Sequence, residues 1–324
     1  MRFLRRVWLL VPLTAALAAV TIYLPYYSIG PGPAKAVQPL IRFDDRPRYE
    51  SEGSFVLTSV RFDQLTAYGI VVAWLDPGVS VVPRSDLFAP GETAQQERER
   101  SISQMDQSKL DAAFVVLEEL TDYPEEHGDG VLIESVVEGC AADGELFPGD
   151  IVQAIDGAEV EDVGDARRII RTTPSGAQLT FDVTVDGEPE TVSLAREPCG
   201  GSERPLVGVS MIESFPFDVR IQSGSIGGPS AGLAWALALY DLLTPGDLTG
   251  GRTIASTGQL GIDGTVYPIG GAADKFVAAE SAGATVLILP VSNVEEARSA
   301  GESEIELVPV ETFGEALAYL QGNE

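Results

Sequence analysis

The chain has 324 residues, which favours two domains with further segments, and its composition of 44% hydrophobic and 22% charged residues argues against wholesale disorder. A formal net charge of −28 makes binding to nucleic acid or to anionic lipid headgroups unfavourable. One histidine, His127, cannot form a zinc site with several imidazoles, and two cysteines, Cys140 and Cys199, cannot form a four-thiolate metal site or an iron–sulfur cluster.

The N-terminus combines basic residues with an apolar run. Arg2, Arg5 and Arg6 precede an uncharged stretch whose apolar part, residues 7–24, is just long enough to cross a bilayer. Because basic residues flank the cytoplasmic end of a membrane span, the sequence predicts a single-pass anchor over residues 1–27. The N-terminus would be cytoplasmic and the bulk of the chain extracytoplasmic.

A cleaved signal peptide is the alternative interpretation of the same segment. Small residues lie within the run, and they are Ala15, Ala16, Ala18 and Ala19. The apolar run continues past these alanines, which favours an uncleaved anchor. The bulk of the chain is exported under either interpretation, so a disulfide between Cys140 and Cys199 is permitted, with two free buried thiols as the equal alternative.

Residues 28–122 are predicted to be a tether followed by a region of strands and helices. The proline- and glycine-rich start is typical of a linker. The patterns then predict a strand over 55–60, a helix over 62–75 and a long helix over 91–120. None of these residues indicates a chemical role, and we expect them to contribute packing.

The region 123–200 changes to a strand-rich pattern. Strands are predicted over 131–136 and 151–155, the second closed by an Asp-Gly turn. A short amphipathic helix follows over 163–172, and a hairpin over 178–194 turns at Asp186-Gly187.

This order of elements resembles a PDZ domain of the bacterial protease type. Its marks are the strand from Gly130, a helical segment over 141–146 (Ala-Ala-Asp-Gly-Glu-Leu), Pro-Gly-Asp-Ile-Val at 148–152 and Ile-Asp-Gly at 155–157. Such domains add a peptide C-terminus to a sheet edge and bind its carboxylate with backbone amides. No Gly-Φ-Gly-Φ loop (Φ, hydrophobic) precedes Gly130, so the sequence does not predict carboxylate binding at that loop.

The strongest local motif is Gly227-Gly228-Pro229-Ser230-Ala231-Gly232, which precedes an apolar helical stretch. Proline is favoured at the first helical position, so Ser230 is predicted in the first turn. Free amides and the helix dipole would there stabilise an anionic oxygen. The alternative is an ordinary helix start packed against a sheet.

A serine nucleophile needs a base, and lysine is the candidate. His127 lies in the other module, and the chain has three lysines, Lys35, Lys109 and Lys275. Lys275 falls in the first turns of a predicted helix among small and apolar residues, where burial would lower its pKa. An arginine could not give up its proton. A surface lysine on an ordinary helix is the alternative interpretation.

The three motifs Gly-Pro-Ser-Ala-Gly at 228–232, Ser-Thr-Gly at 256–258 and Gly-Gly-x-x-x-Lys at 270–275 resemble the proteolytic domain of Lon proteases over residues 204–324. The resemblance implies that Ser230 is the nucleophile, Lys275 the general base and acid, and Thr257 a hydrogen-bond partner near the dyad. It places Gly227 and Gly228 in the substrate and oxyanion region. Gly227 stands where Lon proteases often have an acidic residue.

Taken together, the sequence predicts an α+β protein with a membrane anchor, a PDZ-like β-rich module and an α/β Lon-type proteolytic domain. The expected function is a membrane-anchored, extracytoplasmic serine endopeptidase that acts on proteins or peptides. It needs no cofactor or metal, does not bind nucleic acid, and lacks a P-loop ATPase motif. The Lon resemblance adds the expectation of a hexameric ring.

Two other functions remain as alternatives. The first is a catalytically degenerate PDZ-type adaptor or scaffold, suggested by the unusual PDZ loop and by Gly227. The second is a Ser–Lys hydrolase of non-peptide amides or esters.

Overall fold

A computed structural model describes residues 14–44, 46–76, 78–185 and 187–322. Its helices are α1 (residues 14–21), α2 (Ala67–Trp74), α3 (Ala94–Leu120), α4 (Val163–Thr172), α5 (Gly232–Leu243), α6 (Ala272–Ser281), α7 (Val294–Arg298) and α8 (Phe313–Gln321).

The strands of the first half are β1 (Tyr23–Pro31), β2 (Lys35–Ala36), β3 (Ile41–Phe43), β4 (Ser54–Leu57), β5 (Val60–Thr66), β6 (Ser80–Pro83), β7 (Val131–Val136), β8 (Ile151–Ile155) and β9 (Ala158–Glu159). Those of the second half are β10 (Gln178–Val185), β11 (Glu188–Ala195), β12 (Glu197–Pro198), β13 (Pro205–Leu206), β14 (Val209–Glu213), β15 (Val219–Ile221), β16 (Thr253–Ser256), β17 (Gln259–Leu260), β18 (Val266–Tyr267), β19 (Val286–Pro290) and β20 (Glu306–Val310).

The N-terminal unit is a three-stranded antiparallel sheet in the order β5-β1-β6, with α2 connecting β5 to β6. The Thr66 side chain accepts a hydrogen bond from Gly69 N and begins α2. The helix predicted over 62–75 is therefore wrong in its first part. Residues 60–66 form a strand because β1 supplies a paired residue for each of them except Leu65.

The predicted membrane anchor falls only partly on described residues. Residues 1–13 lie outside them, residues 14–21 form α1, and residues 23–27 belong to β1. These last residues adopt a strand because β1 pairs on both sides and because Tyr27 packs against Phe62 and Phe88. Within the described part of the chain, no helix is long and apolar enough to span a bilayer.

The α/β core is built on a five-stranded sheet in the order β2-β4-β16-β19-β20. Strands β4, β16, β19 and β20 are parallel, and β2 adds an antiparallel edge. Strand β4 lies at the first part of the strand predicted over 55–60. Because β4 pairs directly with β16, part of the region predicted at 28–122 shares a sheet with the region predicted at 204–324.

Helix α5 is the centre of this core. It has no charged residue except Asp241, and almost all of its side chains are buried, because it lies between the sheet and α3. The long helix predicted over 91–120 is observed as α3, which begins with a capping box of Thr93 and Gln96. The indole nitrogen of Trp235 donates to the sulfur of Met105 at 3.4 Å, which joins α5 to α3.

The middle module is a separate β-rich unit with its own apolar core. Its main sheet has the order β11-β10-β8-β7-β14, and α4 spans the residues predicted for it. The hairpin of β10 and β11 is also observed. Strand β14 lies beyond the predicted boundary at residue 200, because it returns to pair with β7.

In the middle module, one predicted helical segment is not observed, and one cysteine pair that the sequence left open is bonded. The segment 141–146, predicted as helical, forms turns closed by a bridge between Asp143 and Leu146. Gly139 and Gly144 have positive φ angles of 74° and 78°, which a right-handed helix does not allow. Cys140 and Cys199 form a disulfide, so the pairing left open by the sequence is present.

Candidate active site

Ser230 lies in a 3₁₀ turn, Pro229–Ala231, directly before α5. Gly228 precedes the turn with a φ of 85°, a conformation that favours glycine and directs the chain into the helix. The predicted helix start is thus observed as a tighter turn that leads into α5. The Ser230 side chain is half-buried, and the neighbouring Ala231 is buried.

Helix α3 holds this turn from the side. The backbone amide of Gly228 donates to the Ser101 carbonyl at 2.7 Å, and the Ser108 hydroxyl donates to the Pro229 carbonyl at 2.9 Å. A Cβ atom on Gly227 would lie 2.4 Å from Ser101 Oγ. A side chain at 227 would therefore require the Ser101 hydroxyl to rotate away and the adjacent part of α3 to give slightly, which favours glycine where the resemblance suggests an acidic residue.

The residues that directly follow strand β16 hold the same turn. The Ser230 carbonyl accepts hydrogen bonds from Thr257 Oγ1 at 3.1 Å and from Gly258 N at 2.8 Å. Leu233 N in turn donates to the Gly258 carbonyl at 3.1 Å. Thr257 itself is buried and its amide donates to Ile288 O at 3.0 Å, so the turn is fixed to the central strands.

Lys275 is almost completely buried, with 3% of its surface exposed. Helix α6 begins after Gly271, which is left-handed with a φ of 69°, and places Lys275 in the first turn. Its Nζ donates to Thr257 Oγ1 at 3.3 Å. Burial lowers the pKa of Lys275 to about 8, and the negative charge of Glu296 raises the pKa in part.

Thr257 connects the two candidate catalytic residues. Its hydroxyl accepts from the Lys275 amine and donates to the Ser230 backbone, so one side chain contacts both. Ser230 Oγ and Lys275 Nζ are not directly hydrogen-bonded to each other. Asp274, next to Lys275 in sequence, forms no ion pair with it, in agreement with their different directions around the helix.

The start of α6 is fixed by the segment after β19. The side-chain amide of Asn293 makes two hydrogen bonds to the backbone of Ile269, at 2.9 and 2.8 Å. The Glu296 carboxylate accepts from Ala272 N at 2.9 Å and from Asn293 Nδ2 at 3.3 Å. Glu296 thus caps the helix that carries Lys275 and is also the charge that acts on its amine.

The structure brings Ser230, Thr257 and Lys275 together, whereas Gly227 and Gly228 lie in the preceding loop. The Gly228 amide is occupied by Ser101, so it would serve an oxyanion only if that hydrogen bond broke. His127 lies in the middle module, where its Nδ1 is 2.8 Å from the Gly128 carbonyl.

Sequence reasoning missed four supporting residues: Ser101, Ser108, Asn293 and Glu296. A signal was present for one of them, because Ser108 shares the helical spacing of the buried Met105 and Ala112 and is a polar residue on an apolar face. In the part of the chain that the structure describes, no cluster of residues could hold a metal ion.

Comparison with known families gives two matches within the chain. Residues 209–321 match the family model of the Lon protease (S16) C-terminal proteolytic domain, and residues 100–195 match that of the PDZ domain. The chain is therefore similar to a Lon-type proteolytic domain over residues 209–321 and to a PDZ domain over residues 100–195, in agreement with the two resemblances noted in the sequence. The architecture is mixed α and β, as expected.

Individual relatives agree with the family models. Lon protease 2 of Herpetosiphon aurantiacus is 32% identical over 174 residues, which are 52% of this chain and 20% of that protein. Lon protease of Roseiflexus castenholzii is 36% identical over 154 residues, which are 44% of this chain and 19% of that protein. The chain thus matches about a fifth of the length of these relatives.

Among solved structures, the PDZ domain of an SdrC-like protein from Listeria monocytogenes is similar to this chain. It is 20% identical, with a TM-score of 0.25, and the match covers 26% of this chain and 90% of that one.

Proposed function

We propose that this protein is a serine endopeptidase in which Ser230 is the nucleophile and Lys275 is the general base and acid. The observation that carries the proposal is the buried Lys275 amine, which donates to the hydroxyl that also holds the Ser230 turn. A pKa of about 8 leaves a fraction of this amine neutral near neutral pH, and a neutral amine can accept a proton.

The proposed reaction proceeds through an acyl-enzyme. The neutral Lys275 amine takes the Ser230 hydroxyl proton while the oxygen attacks the peptide carbonyl carbon. The resulting ammonium then donates that proton to the departing amine nitrogen as the C–N bond breaks. Water attacks the ester with Lys275 again as base, and the proton returns to Ser230 as the carboxylic product leaves.

Negative charge on the carbonyl oxygen would be stabilised at the start of α5. The positive end of the helix dipole lies there, and preorganised backbone amides at such a position lower the energy of an oxyanion. Pro229 has no amide hydrogen, and the Gly228 amide already donates to Ser101. Either the remaining amides of the turn act as donors, or substrate binding displaces the Ser101 contact.

The PDZ domain supplies a candidate peptide site at the edge of its sheet. Strand β14 ends the sheet order, with β7 as its neighbour, so a peptide could extend the sheet there. The strand follows Gly208, whose φ is 90° and whose Cβ position is occupied by Cys140. The disulfide therefore supports the loop that leads into this edge.

The proposal includes attachment to a membrane through the apolar N-terminal segment, with the folded units outside the cytoplasm. The three N-terminal arginines support this orientation, and the disulfide is typical of an oxidising compartment. It also includes activity without an ATPase module of its own, because the sequence has no P-loop motif. Assembly into a ring stays an expectation from the Lon resemblance, and native mass spectrometry would test it.

Labelling of the full chain by a serine-directed fluorophosphonate probe tests the nucleophile. We expect the label on Ser230, its loss in Ser230→Ala, and its retention in Ser225→Ala, a control at an exposed serine five residues earlier. Cleavage of an unfolded protein should disappear with the label. A wild-type chain that neither labels nor cleaves would instead support the adaptor, and cleavage restricted to small esters would support the non-peptide hydrolase.

A further inference from the structure

Helix α2 exposes an unusually apolar surface. Residues 64–75 contain no charged side chain, and within α2 itself only Ala73 is buried. Trp74 is 82% exposed. The other large exposed side chains of this segment are Tyr68, Val71, Val72 and Leu75. A helix that is apolar on its solvent side is unfavourable in water unless something covers that side.

The N-terminal segment leaves the sheet at the same end. In the antiparallel pair of β1 and β5, Tyr23 lies opposite Thr66, which is the residue that begins α2. Residues before Tyr23 and residues after Thr66 are therefore neighbours in space. Exposed apolar side chains also occur in the segment that ends at Tyr23, and they are Leu17, Val20, Ile22 and Tyr23.

We propose that these two groups form one membrane-contacting face, with α2 lying in the bilayer interface beside the N-terminal anchor. We call it the apolar face; it comprises the exposed side chains named above on residues 17–23 and 68–75. We assign the lipid bilayer to this face because the apolar run over residues 7–24 is continuous in sequence with it. This inference rests on the membrane attachment included in the proposed function.

The side chains of the apolar face fit a lipid interface. Tyrosine and tryptophan, of which the face has Tyr23, Tyr68 and Trp74, are enriched where the hydrocarbon core meets water. Residues 64–75 contain no charged side chain, so α2 offers no cation to lipid phosphates. Contact should therefore depend on apolar burial and change little with ionic strength.

The arrangement also has a consequence for the candidate active site. Strand β1 packs against α6, the helix that carries Lys275, and a Cβ on Gly271 would lie 2.7 Å from Val60 Cγ1. The same three-stranded sheet thus leads into the apolar face at the Tyr23–Thr66 end and contacts the α6 start through Val60 at the opposite end. Membrane contact by α2 would fix the orientation of the candidate active site relative to the bilayer.

Site-directed fluorescence on the full chain tests the inference. The two native cysteines form the disulfide, so Trp74→Cys, Leu17→Cys and Glu188→Cys would each carry one labelled thiol. The label is an environment-sensitive nitrobenzoxadiazole (NBD) dye, and the variants are reconstituted into phosphatidylcholine vesicles with or without doxyl quenchers on the acyl chains. Glu188 is an exposed control in the PDZ-domain hairpin.

We expect doxyl lipids to reduce the emission from positions 17 and 74 and to leave position 188 unchanged, at low and high salt alike. Quenching at 17 without quenching at 74 would overturn the inference while leaving the anchor intact. Absence of quenching at both positions would contradict membrane attachment as well. The dye at position 74 could instead become shielded from water as protein concentration rises, with no quenching by doxyl lipids. That result would assign the face to a second copy of the chain and would also overturn the inference.

Discussion

Helices α6 and α3 each bury one ionisable side chain, Lys275 and Asp111, with opposite consequences. Burial lowers the pKa of Lys275 to about 8 and raises the pKa of Asp111 to about 8, the latter with a further contribution from Glu134. Near neutral pH the Asp111 carboxyl is largely protonated and uncharged, whereas the Lys275 amine is mostly charged with a neutral fraction.

The two helices differ in what surrounds the buried group. Lys275 has a hydrogen-bond partner, Thr257, that also contacts the Ser230 turn. Asp111 Oδ1 has no hydrogen-bond partner among the described residues. Burial alone therefore tunes a pKa without creating a site. A site also requires a partner that orients the group and a second functional residue within reach.

The largest expected effect is on turnover and comes from replacing Lys275 in α6. Lys275→Arg keeps the positive charge but cannot release a proton, so we expect turnover to fall by at least about 10²-fold. In the wild type, activity should rise with pH through a midpoint near 8, because the amine becomes neutral there. Steady-state peptide cleavage between pH 6 and pH 9 measures both, with Lys109→Arg as the control lysine. Near-normal turnover in Lys275→Arg would refute the mechanism.

Asp111→Asn, in α3, should change the free energy of unfolding. A carboxyl whose pKa is raised in the folded state stabilises the protein fully at low pH, and that contribution is lost as pH rises through about 8. The asparagine variant lacks this loss, so it should be more stable than the wild type at pH 8 by about 1–3 kcal/mol, with a smaller difference at pH 5.

Urea unfolding at the two pH values measures this difference. Asp106→Asn, on the same helix and paired with Lys109 near the surface, is the matched control and should not reproduce the pH dependence. A difference between Asp111→Asn and the wild type that is the same at both pH values would show that the carboxyl is not protonated in the folded state.

Thr257→Val separates the role of the connecting hydroxyl from that of burial. Valine keeps the volume but removes the acceptor for Lys275 and the donor to Ser230, so kcat should fall about 10-fold, the equivalent of about 1.4 kcal/mol. The control is Thr253→Val in strand β16, which ends one residue before Thr257, and it should be nearly silent. If both variants behave alike, the hydroxyl has no specific role.

The smallest expected effect is a shift of the pH profile by Glu296→Gln. The carboxylate of Glu296 favours the protonated amine, so its removal should lower the pKa of Lys275 and move the activity midpoint to lower pH. Glutamine can still accept from Ala272 N, which retains the cap. Glu295→Gln, an equal charge change on an exposed neighbour, should leave the midpoint unchanged. Identical profiles for both variants would remove Glu296 from the control of Lys275.

Local signals in the sequence determined much of the fold. Helix α4 and the β10–β11 hairpin follow from an amphipathic period and an Asp-Gly turn, and the motifs around Ser230 and Lys275 place both residues at helix starts. These features depend on residues within one turn or one hairpin of each other. Such signals are readable from the chain alone.

Only the tertiary structure decided how distant segments meet. Residues 60–66 become a strand because β1 lies beside them, β14 joins the sheet of the middle module from beyond the predicted boundary, and Ser108 reaches Pro229 across 121 residues. Thr257, Glu296 and Asp111 likewise acquire their roles from contacts between elements. The pairing, the burial and the pKa shifts depend on neighbours far away in sequence, which no local pattern encodes.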